Sequence, residues 1–452
     1  MLRETGGRRT GRPPQQVAPE AFDFARLIRD GETVGWAEAT AEPVFLTRLL
    51  DAQAPRCAPF RVFFPLTFGS VFAADHRNVT VTALGGAGAG RRFFAGGADN
   101  VLPANISDLP GLVASGRLPI DVVLLQVTGP DRHGRYNAGL GIEHLGAALA
   151  RARLVVAQLN PELPWTEGDT VLDAAAIDLL VPAAEPPLEL PARSPSPVDR
   201  AIAGHVARLV PDRATIEFGL GAIPEAVAHA LGAKRRLGVH SGAIGDGVAA
   251  LMESGAVDNK HKEIDAGVTI GTMLMGTRRL YRFADRNPAI RLRATSYTHD
   301  ALVLGNFRRF VAINGALEVD LTGQVNAETA GGRHIGTVGG QMDFVRAANR
   351  AAEGRSIIAL QATNRDRSRS RVVARLADGV VTTPRAEADV VVTEHGIAEL
   401  RGRTLGEKRG LGIHSGAIGD GIVGLMEAGV ADNRHKEIDA GVTVGTMLMG
   451  TR

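Results

Sequence analysis

The chain has 452 residues, 44% of them hydrophobic and 22% charged, with 55 glycines and a formal net charge of +2. That length builds two or three domains around a sizeable core, and the charge balance excludes a general nucleic-acid surface. The single cysteine, Cys57, excludes an intrachain disulfide framework and suits a reducing compartment.

Residues 1–21 are basic and lack the apolar stretch of a secretory signal, so they read as a flexible lead-in. No apolar run reaches the ~18 residues that a membrane span needs, and a cytoplasmic location is expected. Only five lysines (Lys234, Lys260, Lys262, Lys408 and Lys436) stand against 46 arginines (51 − 5), a bias that reads as GC-rich coding sequence rather than phosphate binding.

In chain order, the runs at 121–127 and 152–160 are continuous, β-branched and bounded by Gly, Pro and Asn. They predict buried parallel strands, with a helix over Ile142 to Arg153 between them. A Pro-rich stretch follows, PAAEPPLELPARSPSP, which suits neither a central strand nor a helix interior and reads as an extended linker. This divides the chain into an N-terminal α/β domain at 22–185, a linker at 186–198 and a C-terminal α/β domain at 199–408. The second half restarts as a helix over Val198 to Leu209, a strand ATIEFGLG and a helix IPEAVAHALG, half of a βαβ unit. The fold class is α/β, with two tandem open-sheet domains.

Two glycine loops carry the chemistry that can be read locally. Gly219-Leu220-Gly221-Ala222-Ile223-Pro224 joins a strand to a helix, and glycines with a helix N-terminus admit an anion such as a pyrophosphate. Pro224 suits the first helical turn. The plainer reading is an ordinary tight turn, since no G-x-G-x-x-G is completed. Gly336 to Asp343 is the second loop, followed by the helix-like FVRAANRAAEG, with Asp343 a candidate N-cap. Two such junctions in one domain suggest a shared anionic ligand. GGAGAG at 85–90 reads as a flexible loop. Alternating Leu317, Val319 and Leu321 predict a strand with Glu318 and Asp320 on its opposite, solvated face. The twelve histidines show no close metal-ligand spacing, His261-Lys262-Glu263 being too cramped, and no metal is expected.

Residues 411–452 are a near-copy of 237–278 at a constant offset of 174, with 33 of 42 positions identical. A pair separated by unrelated sequence is no solenoid. The first copy is expected to supply strands and a helix to the second domain, through Val248, Leu251, Met252 and the strand-like VTIGTMLMG. The second copy has no further slot to fill. It is expected to pack on the surface, stay poorly ordered or compete with the original, with dimerisation as one outcome.

The strings AEPVFLTRLL (41–50), PANISDLP (103–110), LPIDVVLLQVTGPDRHG (118–134), GLGAIPEAV (219–227), AINGALEVDLTGQVNAE (312–328), GGQMDF (339–344) and VVTEHGIAELRG (391–402) stand in one order along the chain. Taken together they resemble the acetyl-CoA hydrolase/transferase family, which includes 4-hydroxybutyrate and succinyl-CoA:acetate CoA-transferases. The resemblance implies two NagB/CoA-transferase-type domains with CoA in the cleft between them. It implies that Gly219 to Pro224, Asn314, Gly336, Gly339, Gly340 and Gln341 line the CoA site, with acyl-CoA and a carboxylate as small-molecule substrates. It further implies a nucleophilic glutamate in a His-Ser/Thr-Glu string, which forms a glutamyl-CoA thioester that an acceptor carboxylate then resolves.

Here that string is His240-Ser241-Gly242, and the second copy has Gly416 at the same place. His299-Asp300 departs from the family's Asn-Asp, and the copied segment replaces the family's terminal one after Arg409. Glycine has no carboxylate. Glu328, Glu387, Glu394, or His240 activating water are the candidate replacements for CoA transfer or thioester hydrolysis. A CoA-binding protein without turnover and a damaged gene product are the alternative readings.

Overall fold

Two mainly parallel sheets organise the chain, each built from short β-branched and apolar runs. The computed structural model describes residues 13–69, 72, 76–94, 99–191, 194–377, 379–409, 418–419 and 448–449. The first sheet has seven strands in the order Gln15–Gln16, Leu179–Pro182, Leu154–Leu159, Val122–Val127, Thr33–Trp36, Phe60–Phe64, Val79–Ala83, all parallel. Successive side chains point to opposite faces. Val34, Trp36, Val122, Leu124 and Val156 therefore pack beneath Leu46 and Leu50 of helix Val44–Gln53, with Phe24 beside them. Phe63, Val123, Leu125, Val155 and Ala157 pack on the other face against Leu109, Val113, Leu145 and Leu149 of helices Leu109–Ala114 and Leu145–Arg151. Burial on both faces is why these strands are continuous apolar runs rather than alternating ones.

The second sheet runs Gly238–Val239, Thr215–Phe218, Phe310–Gly315, Arg355–Ala359, Val390–Thr393, Gly396–Glu399, parallel except for the last pair. Its helices include Pro197–Leu209, capped by a reciprocal Ser196–Asp199 box, and Ala222–Ala230. Ile216, Ile313, Ile357 and Val392 join the same core cluster as the inner face of the first sheet. The two bodies thus share one apolar layer.

Several local expectations change. The lead-in before residue 22 contributes an edge strand, Gln15 standing opposite Leu179. Residues 183–191 hold no regular element but are pinned: Leu190 N–H donates to Gly276 O at 2.8 Å and Tyr281 Oη to Leu188 O at 2.6 Å. The strand at 317–321 shortens to Glu318–Asp320. Asp320 is buried rather than solvated, and its carboxylate accepts from Thr322 N–H and Oγ and from Gln324 N–H and Nε2. It organises the turn that follows the strand.

Residues 85–90 do not form a free loop. Gly86 N–H donates to Gly336 O at 3.0 Å, and a Cβ on Gly85 or Gly86 would lie 2.2 Å from Gly336 O or 1.9 Å from His334 O. The glycines are there because another backbone passes where a side chain would be.

The segment 237–278 supplies an edge strand of the second sheet, helix Asp246–Glu253 and the short strands Thr269–Gly271 and Met273–Leu274. Its copy lies outside the described residues except for 418–419 and 448–449. There Ile418 pairs with Leu448 in parallel, the register of Ile244 with Leu274 in the first copy. Among the described residues no helix is long and apolar enough to cross a membrane.

Candidate active site

In each sheet the chain winds outward one way and then returns to the opposite side of its starting strand. The order reverses between Thr33–Trp36 and Val122–Val127 in the first sheet, and between Thr215–Phe218 and Phe310–Gly315 in the second. Crossovers diverge at such points and leave a crevice beyond the carboxyl ends of the strands, where ligands of open α/β sheets sit. Here both reversals open onto one cavity of about 390 Å³. Glu38, Leu66, Leu84 and Ile106 line it from the first body, and Glu217, Gly219, Gly242, Met273, His299, Asn314 and the 336–341 loop from the second.

Of the residues expected at a CoA site, Gly219, Leu220, Asn314, Gly336, Gly339, Gly340 and Gln341 line this cavity. Gly221, Ala222, Ile223 and Pro224 are not part of its lining. Gly221 holds φ +122° as the N-cap of helix Ala222–Ala230, a conformation that glycine admits. Gly336 is fixed by contact, since a Cβ there would lie 1.9 Å from Ala327 O. Asp343 is not the N-cap of helix Gln341–Arg350; Gly340 is. The Asp343 carboxylate instead accepts from Ser107 Oγ at 2.7 Å and Ser107 N–H at 3.2 Å, tying the helix to the first body, and burial pushes its pKa up to about 6.

The replacement candidates stand elsewhere. Glu328 is buried outside the cavity lining and accepts from Thr382 Oγ at 2.7 Å. Glu387 pairs with Asn349 and Arg346, and Glu394 accepts Ala362 N–H at 2.8 Å; neither lines the cavity. His240 is fully buried behind it, with Nε2 3.0 Å from Thr298 O, and desolvation pushes its pKa down to about 3. His240 does not line the cavity.

The cavity has polar groups that sequence reasoning did not select. Glu217 lies on the strand Thr215–Phe218, and its carboxylate accepts from Asn314 Nδ2 at 2.8 Å. Desolvation pushes its pKa up to about 8. A lone acid inside the apolar run ATIEF was the available signal. His299 bonds through Nδ1 to Thr298 Oγ at 2.8 Å and turns Nε2 toward Gly242; burial pushes its pKa down to about 3, so it is neutral near pH 7. Glu38 follows the strand Thr33–Trp36, and burial pushes its pKa up to about 8. Beside it, Glu143 and His144 complete a buried group whose ligand atoms lie within 4.8 Å of one another. The absence of short-range metal spacing in the sequence did not anticipate this cluster, because Glu38 is 105 residues from Glu143.

Paired open sheets with a glycine-lined cleft at both switch points define a fold of the CoA-transferase type. Family models agree: the acetyl-CoA hydrolase/transferase N-terminal domain matches residues 16–189, and the C-terminal domain matches residues 276–411. The chain belongs to the acetyl-CoA hydrolase/transferase family and is an enzyme of the CoA-transferase/acyl-CoA hydrolase class. It is 36% identical over 382 residues to a 4-hydroxybutyrate coenzyme A transferase of Clostridium kluyveri, covering 84% of this chain and 89% of that one. A succinyl-CoA:acetate/propanoyl-CoA:succinate CoA transferase of Fasciola hepatica is 34% identical over 86% of this chain and 82% of its own. Among solved structures, RipA from Yersinia pestis superposes with a TM-score of 0.81 at 30% identity, covering 87% of this chain and 92% of that one.

Proposed function

We propose that the cleft binds the thioester end of a short acyl-CoA and either passes the acyl group to water or passes the CoA to an acceptor carboxylate, releasing the donor acid, without a glutamyl-CoA at position 242. The observation that carries this reading is a glycine, opposite His299, in the wall of the cavity where the family resemblance puts the nucleophile. CoA enters as substrate, and the glycine loops of the second body offer backbone N–H groups to a carbonyl oxygen that gains negative charge. Glu217 is the carboxylate we assign as base: it is buried, held by Asn314, and protonates near the pH at which a general base is useful. In hydrolysis it would take a proton from water as oxygen adds to the thioester carbon. The C–S bond then breaks, and the thiolate leaves and is protonated.

Transfer to an acceptor carboxylate is the second reading, favoured by the activities named for the relatives above. The comparisons support neither the reading as a binding protein without turnover nor that as a damaged gene product. The division into bodies at 22–185 and 199–408 is part of the proposal, supported by the strands of each of the two large sheets coming from one side of residues 186–198, while a small sheet pairs Glu167–Gly168 with Ile290–Leu292 across the two. Acetyl-CoA loss is to be followed with and without an added carboxylate acceptor. Free CoA appearing without acceptor marks hydrolysis, and new acyl-CoA appearing only with acceptor marks transfer. No turnover in either arm, by folded protein over a panel of short acyl-CoAs, sinks both.

A further inference from the structure

Glu38, Glu143 and His144 meet at the first-body side of the cleft, and their burial leaves polar atoms without partners. All three are at most 4% exposed. Glu143 Oε2 accepts Glu38 N–H at 3.3 Å, but Glu143 Oε1 and both ring nitrogens of His144 have no hydrogen-bond partner. Among the described residues, no cationic side chain forms an ion pair with either carboxylate. Buried polar atoms are nearly always satisfied, so an unfilled group of this kind marks a ligand, an ion or strain.

The surroundings hold the group in place rather than relieve it. Glu143 adopts φ +37°, which non-glycine residues rarely adopt, and its backbone carbonyl accepts Thr295 N–H at 3.1 Å. Gly141 makes the room for the carboxylate, since a Cβ there would lie 2.2 Å from Glu143 Oε1. His144 packs against Phe63 with ring centroids 5.6 Å apart and planes nearly perpendicular, a contact that satisfies neither ring nitrogen.

We infer that Glu38, Glu143 and His144 form a binding site for one divalent transition-metal cation at the rim of the cleft. Two carboxylates and one imidazole balance the charge of a dication and match the ligand types of zinc and its neighbours. Their donor atoms lie within 4.8 Å of one another. Bonds of about 2.0–2.2 Å span donors up to roughly twice that distance, so closure onto an ion needs side-chain movements below about 1 Å. Three protein ligands leave a position open for water. Glu38 is the ligand that lines the cavity, so that position borders the proposed substrate space.

The inference is tested on the full chain, stripped with a chelator and dialysed, without any acyl-CoA. Calorimetric titration with Zn²⁺ is expected to give one ion per chain. Affinity should fall at least tenfold in Glu143→Gln and in His144→Gln, and should be unchanged in the exposed control His133→Gln. Co²⁺ should give visible ligand-field bands that both site variants lose. Thermal melts establish that each variant is folded; if either is not, Glu38→Gln reads the same site from the cleft side. Folded wild-type protein that takes up neither ion, or uptake that survives the site substitutions, overturns the proposal. This result is independent of whether CoA binds or turns over.

Discussion

The imidazole of His299 faces Gly242: a Cβ built on the glycine would lie 3.4 Å from His299 Nε2 and 3.9 Å from the Phe344 ring. These are ordinary van der Waals distances, and Gly242 is not among the positive-φ glycines. The cavity wall therefore has space for a first side-chain atom at this position.

Gly242→Glu should accordingly fold with a melting temperature close to that of the parent. Borohydride or hydroxylamine trapping with an acyl-CoA is expected to leave the 237–278 peptide of the parent unmodified and to label that of the variant. The neighbouring Val239 and Ile413 distinguish the two copies by mass. An adduct on some other carboxylate of the parent would reassign the nucleophile to that residue.

Gly340 is tighter. A Cβ there would lie 2.7 Å from His299 Nε2 and 2.9 Å from Cδ2, so Gly340→Val must displace the histidine or the loop. CoA affinity, read by calorimetry, should weaken by about tenfold or more, ~1.4 kcal/mol. Gly219→Val meets Asn314 Oδ1 and Ile313 O at 3.1 Å and should have a smaller effect in the same direction. Unaltered binding by both folded variants would remove the glycine loops from the ligand site.

Glu217 couples stability to pH. Its folded pKa, about 8, stands above the 4.5 of the free side chain because burial disfavours the anion. Its contribution is fully present below about pH 4.5 and is lost as pH rises through 8. Glu217→Gln keeps an acceptor for Asn314 and carries no charge. Its stability advantage over the parent in urea should grow between pH 4.5 and 8 and stay level above that. Turnover should fall at least tenfold if Glu217 is the base. A pH-independent stability difference would show that the carboxyl is not held neutral by burial.

Deleting residues 411–452 is expected to leave CoA binding unchanged or improved and to raise solubility. The reason is that the last strand of either large sheet ends at Glu399 and every described cavity residue precedes it. Size-exclusion chromatography and calorimetry on the truncated chain check this. Unfolding of the truncated chain alongside a well-behaved monomeric parent would make the copy an integral element.

The sequence alone determined what short-range pattern controls. Val122–Val127 and Leu154–Leu159 could be read directly because a strand buried on both faces must be apolar throughout. The loops at Gly219 and Gly336 to Asp343 could be read because a glycine run before a helical pattern lets backbone approach closely, and Gly242 could be singled out because the resemblance points to that position.

Tertiary structure alone decided which distant residues meet. Parallel sheets join strands through long crossovers, so Glu38 reaches Glu143, and Gly86 reaches Gly336, through contacts with no sequence period to announce them. Burial was decided at the same level. Asp320 read as solvated because strand alternation shows only that it faces away from its apolar neighbours; the turn that folds over it supplies four donors and makes it an interior group. Glu328, Glu387 and Glu394 were chosen for their chemistry. The packing that turns them away from the cavity depends on the path of the chain between them, which no local pattern records.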